Sequence, residues 1–359
     1  VPSLFMLRGP ASWTRTALTL LLAYAAARLC VWLGTPIPWM IGPLLCTGLV
    51  SVFGARTESW APLRNLGQWV IGAALGLYFT PEVGALVASL WWAIVLGVAW
   101  ALMLGLGLAA WLRRVHAARL RLPPQQLLST TYFAGAIGGA SEMTLLAERQ
   151  GARTDLVAAA HSLRVLLVTV TIPFALQAAG VRGLDALPPA IRVVQPGGLA
   201  LLGLLTLAGA LLMQRLGRAN PWFMGALVAT MAITLSGVQL SALPATLTEL
   251  SQLFIGVSLG VRFTPAFAHT APRWLGSVAL ATCVMMGLCA GFGWLMAQLT
   301  GLHPVTMLLG TAPGGIAEMA ITAKVLQLGV PVVTAFQVCR LVAVLVLAEP
   351  VYRWRFARA

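Results

Sequence analysis

The chain has 359 residues, of which 59% are hydrophobic and only 9% charged, with a mean hydropathy of +0.89. A soluble domain of this length carries about a quarter charged residues on its surface, so a water-soluble enzyme or binding module is excluded. The net charge of +14 is no nucleic-acid footprint: the basic residues, all arginine except Lys324, sit in short loops where the positive-inside rule puts them.

Taken in chain order, apolar segments lie near 16–33, 37–53, 66–80, 86–112, 125–148 and 154–179. A second set follows near 196–214, 221–237, 248–263, 274–300, 303–326 and 331–351. Runs of about 20 apolar residues are what crossing a hydrocarbon core of roughly 30 Å requires. Segment 16–33 is too long and too weakly flanked for a cleaved signal peptide and reads as the first span. Cys30, Cys46, Cys283, Cys289 and Cys339 all lie in apolar stretches without CxxC spacing, so neither a disulfide framework nor a structural zinc site is indicated.

The two sets are copies of one another. Pro38-Trp39-Met40-Ile41-Gly42 returns as Pro221-Trp222-Phe223-Met224-Gly225, and the block from Gln68 through Gly72 and Gly76 to Phe79-Thr80-Pro81 returns from Gln252 through Gly256 and Gly260 to Phe263-Thr264-Pro265. Gly138-Gly139-Ala140-Ser141-Glu142-Met143 matches Gly314-Gly315-Ile316-Ala317-Glu318-Met319. Arg164 matches Arg340, each twenty-two residues past its glutamate. The expected domains are therefore repeats 1–180 and 181–359.

The fifth segment of each set is broken, by Gly135, Gly138 and Gly139 in one copy and by Gly310, Pro313, Gly314 and Gly315 in the other. Such runs are poor helix interiors. Irregular backbone at membrane depth survives only where protein or a water-filled cavity satisfies it. Treating both broken segments as re-entrant hairpins leaves five spans per half and inverts the second half. Most loop arginines then fall on one side, with Arg182, Arg192 and Lys324 on the other. The expected fold is an all-α polytopic membrane protein: two inverted repeats of five spans, each with one re-entrant broken-helix hairpin, and both termini cytoplasmic.

Glu142, Arg164, Glu318 and Arg340 fall inside apolar segments. A charge at the bilayer centre costs roughly 2.5–3.5 kcal/mol on insertion scales, so something in the protein must compensate each one. Two readings are open. Each glutamate could pair with an arginine and pin a hairpin to a helix. Alternatively the four groups surround a central site, since discontinuous segments at corresponding positions of two halves are the best sequence pointer to one. In that reading half-helix N-termini hold an anion and arginine adds a planar fork for carboxylate or phosphate.

The substrate-binding candidates are Gly138, Gly139, Ser141, Arg164, Thr311, Gly314, Gly315 and Arg340. The coupling-ion candidates are Glu142, Glu318 and His161, the last one turn before Arg164 and matched by Gln337; a packing role for His161 stays equally open. Thr130 and Thr131 are further polar residues of the first hairpin. GxxxG spacing at Gly72/Gly76 and Gly256/Gly260 points to close helix packing.

The Phe-Thr-Pro blocks after the GxxxG helices and Pro313-Gly314-Gly315-Ile316-Ala317-Glu318-Met319 resemble the AbrB family of bacterial membrane proteins, over nearly the whole chain. The first copy departs from the second motif, with Ala136-Ile137-Gly138-Gly139 and no proline. Members have been called gene regulators or ammonia monooxygenases. The sequence supports neither name: its four histidines are scattered and no segment is long enough for a soluble reading head. The architecture is similar to inverted-repeat carriers, which implies an elevator-like moving core and a homodimer.

The expectation is secondary transport of a small anionic, carboxylate-type solute across the bacterial inner membrane, coupled to H⁺ or Na⁺. The partners are that solute and the lipid bilayer, with no nucleic acid. No cofactor or metal is expected, and the chain is not an enzyme, because no nucleophile–base constellation emerges. The alternative is a membrane-embedded sensor that binds a ligand without moving it.

Overall fold

A computed structural model of the chain describes residues 10–120, 122–181, 183, 193–265 and 272–356. Both chain ends, Arg182 and Arg192 lie outside the described residues. Within them the chain forms fifteen helices and no strand. These are α1 (Pro10–Trp32), α2 (Pro38–Val52), α3 (Ala61–Gly76), α4 (Pro81–Ser89), α5 (Trp91–Leu120), α6 (Pro124–Gly135), α7 (Ala140–Arg149) and α8 (Thr154–Ala178). The second half gives α9 (Pro196–Arg215), α10 (Pro221–Leu235), α11 (Ala245–Gly260), α12 (Pro272–Thr300), α13 (Pro304–Thr311), α14 (Ile316–Val325) and α15 (Val330–Phe356).

Proline opens many of these helices, as at Pro38, Pro81, Pro124, Pro196 and Pro304. Its missing N–H costs nothing in the first turn and its φ is already helical. Thr80 adds a side-chain cap to α4 by accepting from the Val83 N–H at 3.3 Å. That start separates α4 from α3, and α4 in turn ends at Leu90, inside the apolar segment 86–112 that the hydropathy pattern reads as one.

Six helices are long and apolar enough to cross a membrane: 12–32, 91–120, 154–178, 196–215, 272–300 and 330–354. A seventh crossing results if α3 and α4 count together as one broken span. The chain is thus a polytopic membrane protein. Ten full-length spans are not found among the described residues. α2 and α10 have 15 residues each, about 22 Å at 1.5 Å per residue, short of the roughly 30 Å core. α3 and α11, with 16 each, fall short for the same reason. The apolar windows of the sequence run on into turns that add no helical length.

Two compact units divide the chain, and each draws on both halves. The first comprises 1–74, 191–230 and 240–269; the second 75–190, 231–239 and 270–359. In the first unit α2 packs on α1 and α11. The GxxxG glycines permit these crossings: a Cβ on Gly256 would lie 2.5 Å from the Met40 carbonyl oxygen, and one on Gly72 would strike that of Phe223. Trp69 donates to Thr206 Oγ1 across 3.0 Å.

The second unit holds both broken segments. Here α5 of the first half packs on α15 of the second, and α12 of the second packs on α8 of the first. The core joins the two halves around Phe133, Met143, Trp274 and Tyr352. Tyr132 fixes one such contact by donating to the Ala348 carbonyl at 2.8 Å.

Candidate functional site

Both breaks are real interruptions of helix. α6 ends at Gly135 and α7 starts at Ala140; α13 ends at Thr311 and α14 starts at Ile316. The linking backbone is extended: Ala136 has φ −55° and ψ 135°, Gly139 φ −65° and ψ 135°, Gly315 φ −78° and ψ 154°. None of these glycines has a positive φ, so they are present for space rather than for backbone freedom. A Cβ on Gly135 would lie 2.6 Å from the Gly105 carbonyl oxygen and 2.8 Å from Ala109 N on α5. One on Gly314 would reach Val168 Cγ1 at 3.0 Å, and one on Gly139 would reach Leu341 Cδ1 at 3.6 Å. Each break therefore leans on the arginine-bearing helix of the other half.

The arginines meet the carbonyl end of the first half-helix. Arg164 donates through Nη1 to Ala134 O and Gly135 O, both at 3.4 Å, and through Nη2 to Ala136 O at 2.9 Å. Arg340 donates through Nη1 to Ala312 O at 2.5 Å and through Nη2 to Gly314 O at 2.7 Å. The last carbonyls of a helix lack intrahelical partners and carry its partial negative charge, so a cation there is well placed. The short ones, to Ala136, Ala312 and Gly314, are charge-assisted bonds of the kind that contributes roughly 1.5–3 kcal/mol. Arg340 reaches two peptides further into its break than Arg164 does.

One turn earlier, His161 and Gln337 perform the same task. His161 Nε2 lies 2.9 Å from Phe133 O and Gln337 Nε2 donates to Leu309 O at 2.7 Å and to Ala312 O at 3.1 Å. His161 Nδ1 accepts from Arg164 Nη2 at 2.8 Å.

The glutamates occupy the opposite end of each break. With Gly139 and Gly315 as N-caps, Glu142 and Glu318 stand at the third helical position. The carboxylate folds back over the cap in both copies: a Cβ on Gly315 would lie 2.7 Å from Glu318 Cδ and 3.1 Å from Oε1, and one on Gly139 would strike Glu142 Oε2. Each carboxylate thereby lies beside the positive end of its own helix, where the helix dipole favours it. The arginines direct their Nη donors to backbone oxygens and, in the first half, also to His161 Nδ1, while each glutamate lies against the start of its own half-helix. The Arg340 guanidinium still feels the Glu318 charge.

The remaining candidates divide. Thr311 is buried and turns its hydroxyl back to Met307 O at 2.8 Å. Thr130 and Thr131 do the same towards Gln126 O and Leu127 O. Ser141 is exposed, whereas Gly138, Gly139 and Glu142 are partly buried; Gly314 and Glu318 are buried. Among the described residues, Arg164 Nε, Arg340 Nε, Gln337 Oε1 and Thr169 Oγ1 are buried polar atoms without a hydrogen-bond partner. Gln337 and Thr169 do not stand out in the sequence, although Gln337's alignment with His161 is a signal. No group of three or more His, Cys, Asp or Glu side chains able to hold a metal occurs among the described residues.

The family model described as "Transition state regulatory protein AbrB" matches residues 39–356, most of the chain. The chain belongs to the AbrB family. This AbrB-family chain is 24% identical over 349 residues to "Uncharacterized protein YhjN" of Bacillus subtilis (strain 168), covering 89% of the chain and 88% of the relative. It is also 24% identical over 323 residues to "Putative regulator AbrB" of Escherichia coli (strain K12), covering 89% and 90%. Shared AbrB membership spans both compact units, so the paired breaks lie within the family's own territory.

Proposed function

We propose that the protein is a secondary active transporter of a small solute bearing a carboxylate, driven by H⁺ or Na⁺ through elevator-like alternating access. The observation that carries this reading is the pair of half-helix breaks brought into one compact unit, each with a buried arginine at its carbonyl end. Arg164 Nε, Arg340 Nε and Gln337 Oε1, on side chains that hold the carbonyls of those breaks, are buried without partners and support a ligand, because such atoms in a folded interior are rare. The hairpin-bearing unit is the moving body. Two inverted repeats of five spans, cytoplasmic termini and a homodimer complete the arrangement. The short helices α2, α3, α10 and α11 then cross a locally thinned bilayer, the ordinary accommodation of a short span.

The test is uptake of radiolabelled lactate, succinate, citrate and glutamate into proteoliposomes under imposed H⁺ or Na⁺ gradients, with thermal shifts of the same panel in detergent. Gradient-driven uptake of one carboxylate, lost in Arg340→Ala and partly kept in Arg340→Lys, supports transport. Binding without uptake under any gradient overturns it in favour of a ligand sensor, the reading towards which the regulator names of the family and its Escherichia coli member lean. A failure of Arg340→Ala to fold, with no ligand found for the wild type, assigns the arginines to structure alone.

A further inference from the structure

The start of α14 already has a carboxyl group folded against it, and that group belongs to the chain. Gly315 offers no side-chain cap, and the first-turn N–H groups of any helix need an acceptor. The Glu318 carboxylate lies across that turn, close enough that a methyl on Gly315 would run into both its oxygens. A ligand carboxylate directed to the same N–H groups must contend with it.

We propose that Glu318 is an internal competitor for the ligand's carboxylate, and that it yields the α14 N-terminus when it takes up a proton. This deepens the transport reading and rests on it only for the class of ligand. The Glu318 carboxylate gains one proton and becomes a neutral acid that no longer holds the helix N-terminus. The incoming carboxylate replaces it, so the charge at the turn stays the same and one proton enters with each carboxylate bound.

A second observation marks the place as a ligand site. Arg340, 5% exposed, holds Gly314 O with Nη2 while its Nε has no partner, and the 0%-exposed Gln337 beside it leaves Oε1 unpaired. These groups adjoin the bend that leads into α14. The charged and titratable groups near this bend on the packed elements are Arg340 on α15, Arg164 and His161 on α8, and the buried Cys289 of α12, whose thiol donates to Thr311 O at 3.4 Å. α13 carries none, and Lys324 stands two turns further along α14 itself. The proton therefore converts a site of fixed positive groups and one internal carboxylate into one with a vacancy for a single external carboxylate. Glu142 occupies the equivalent position in the first half, but it is less buried and its neighbour Ser141 is exposed. Glu318 is the copy screened from water.

Calorimetric titration of the full-length protein in detergent with lactate and with succinate, in two buffers of different ionisation enthalpy, counts the protons taken up per ligand. The expected result for wild type is about one proton per carboxylate bound, with affinity falling about tenfold per pH unit above the range where Glu318 titrates. Glu318→Gln should bind with no proton uptake, independently of pH, and more tightly than wild type at about pH 8. Proton uptake of zero in wild type, or unchanged uptake in Glu318→Gln, overturns the inference. So does the absence of binding by either acid to both proteins at about pH 5 and about pH 8. If Glu318→Gln does not fold, the wild-type proton count decides alone. Proton-linked binding without uptake into proteoliposomes overturns transport and leaves the competition standing.

Discussion

Arg164 donates to Nδ1 of His161 across 2.8 Å, and that bond fixes the tautomer of the ring. A guanidinium has no acceptor, so Nδ1 must accept; the Phe133 carbonyl has no donor, so Nε2 must carry the hydrogen. His161 is thereby a neutral strut between α8 and the end of α6. In the second half Gln337 bridges α15 to Leu309 O, the carbonyl equivalent to that of Phe133.

His161→Gln should therefore be nearly silent, because a glutamine amide can donate to Phe133 O and accept from Arg164. The expected loss is under about 1 kcal/mol, whereas His161→Leu strands a buried carbonyl and costs roughly 1–3 kcal/mol. Chemical unfolding in detergent, comparing both variants with wild type, checks the contrast. Equal losses in both would show that the ring's volume matters and its hydrogen bonds do not.

Gly315→Ala should displace the Glu318 carboxylate from the start of α14, at a cost of about 0.5–2 kcal/mol, the range for a lost cap. The double variant Gly315→Ala/Glu318→Ala should lose less than the sum of the singles, since no carboxylate remains to be displaced. A coupling of about 0.5 kcal/mol or more in that cycle is expected. Strict additivity would mean that the two residues do not touch.

Gly135 of α6 and Gly107 of α5 provide a contrasting pair. A Cβ at Gly105 would lie 3.3 Å from Gly135 O, and the reciprocal Cβ at Gly135 lies closer to α5 backbone, whereas Gly107 has open space within 4 Å. Gly135→Ala must push α6 off α5, costing roughly 1–3 kcal/mol. Gly107→Ala should be neutral or stabilise by up to about 1 kcal/mol. Melting temperatures of the two variants provide the comparison.

Thr80→Ala removes the hydroxyl that caps α4 and should cost about 0.5–2 kcal/mol. Thr80→Ser, which keeps the oxygen, should restore most of it. Unfolding of the purified variants measures the difference, and a Ser variant as weak as Ala would point to the threonine methyl instead.

Much of the fold is legible in the sequence because its punctuation is chemical. Proline starts, the glycine breaks and the duplicated order of blocks all leave their own residues behind. The number of crossings is less legible, since hydropathy counts apolar residues without asking whether they are helical, as at α2 and α10. The spacing Gly-x-x-Glu lets the carboxylate fold back over the start of its own helix, since glycine leaves room for the returning side chain. The partners of Arg164 and Arg340 could not be read in the same way. Pairing by charge suggests Glu142 and Glu318, but the actual acceptors are peptide oxygens of residues 134–136, 312 and 314. A backbone carbonyl has no letter of its own.

The exchange of α5 with α15 and of α8 with α12 bears on how the chain is made. The second unit cannot close until α15 has left the ribosome, so the first half waits in the membrane with its packing incomplete. Its arginine need not wait. Every carbonyl that receives Arg164 comes from residues 134–136 of the same half, and those that receive Arg340 likewise come from its own half. Each half can therefore be inserted with its most expensive charge already solvated by its own peptide groups, and assembly of the two halves is left to apolar packing and neutral hydrogen bonds such as that from Tyr132 to Ala348 O.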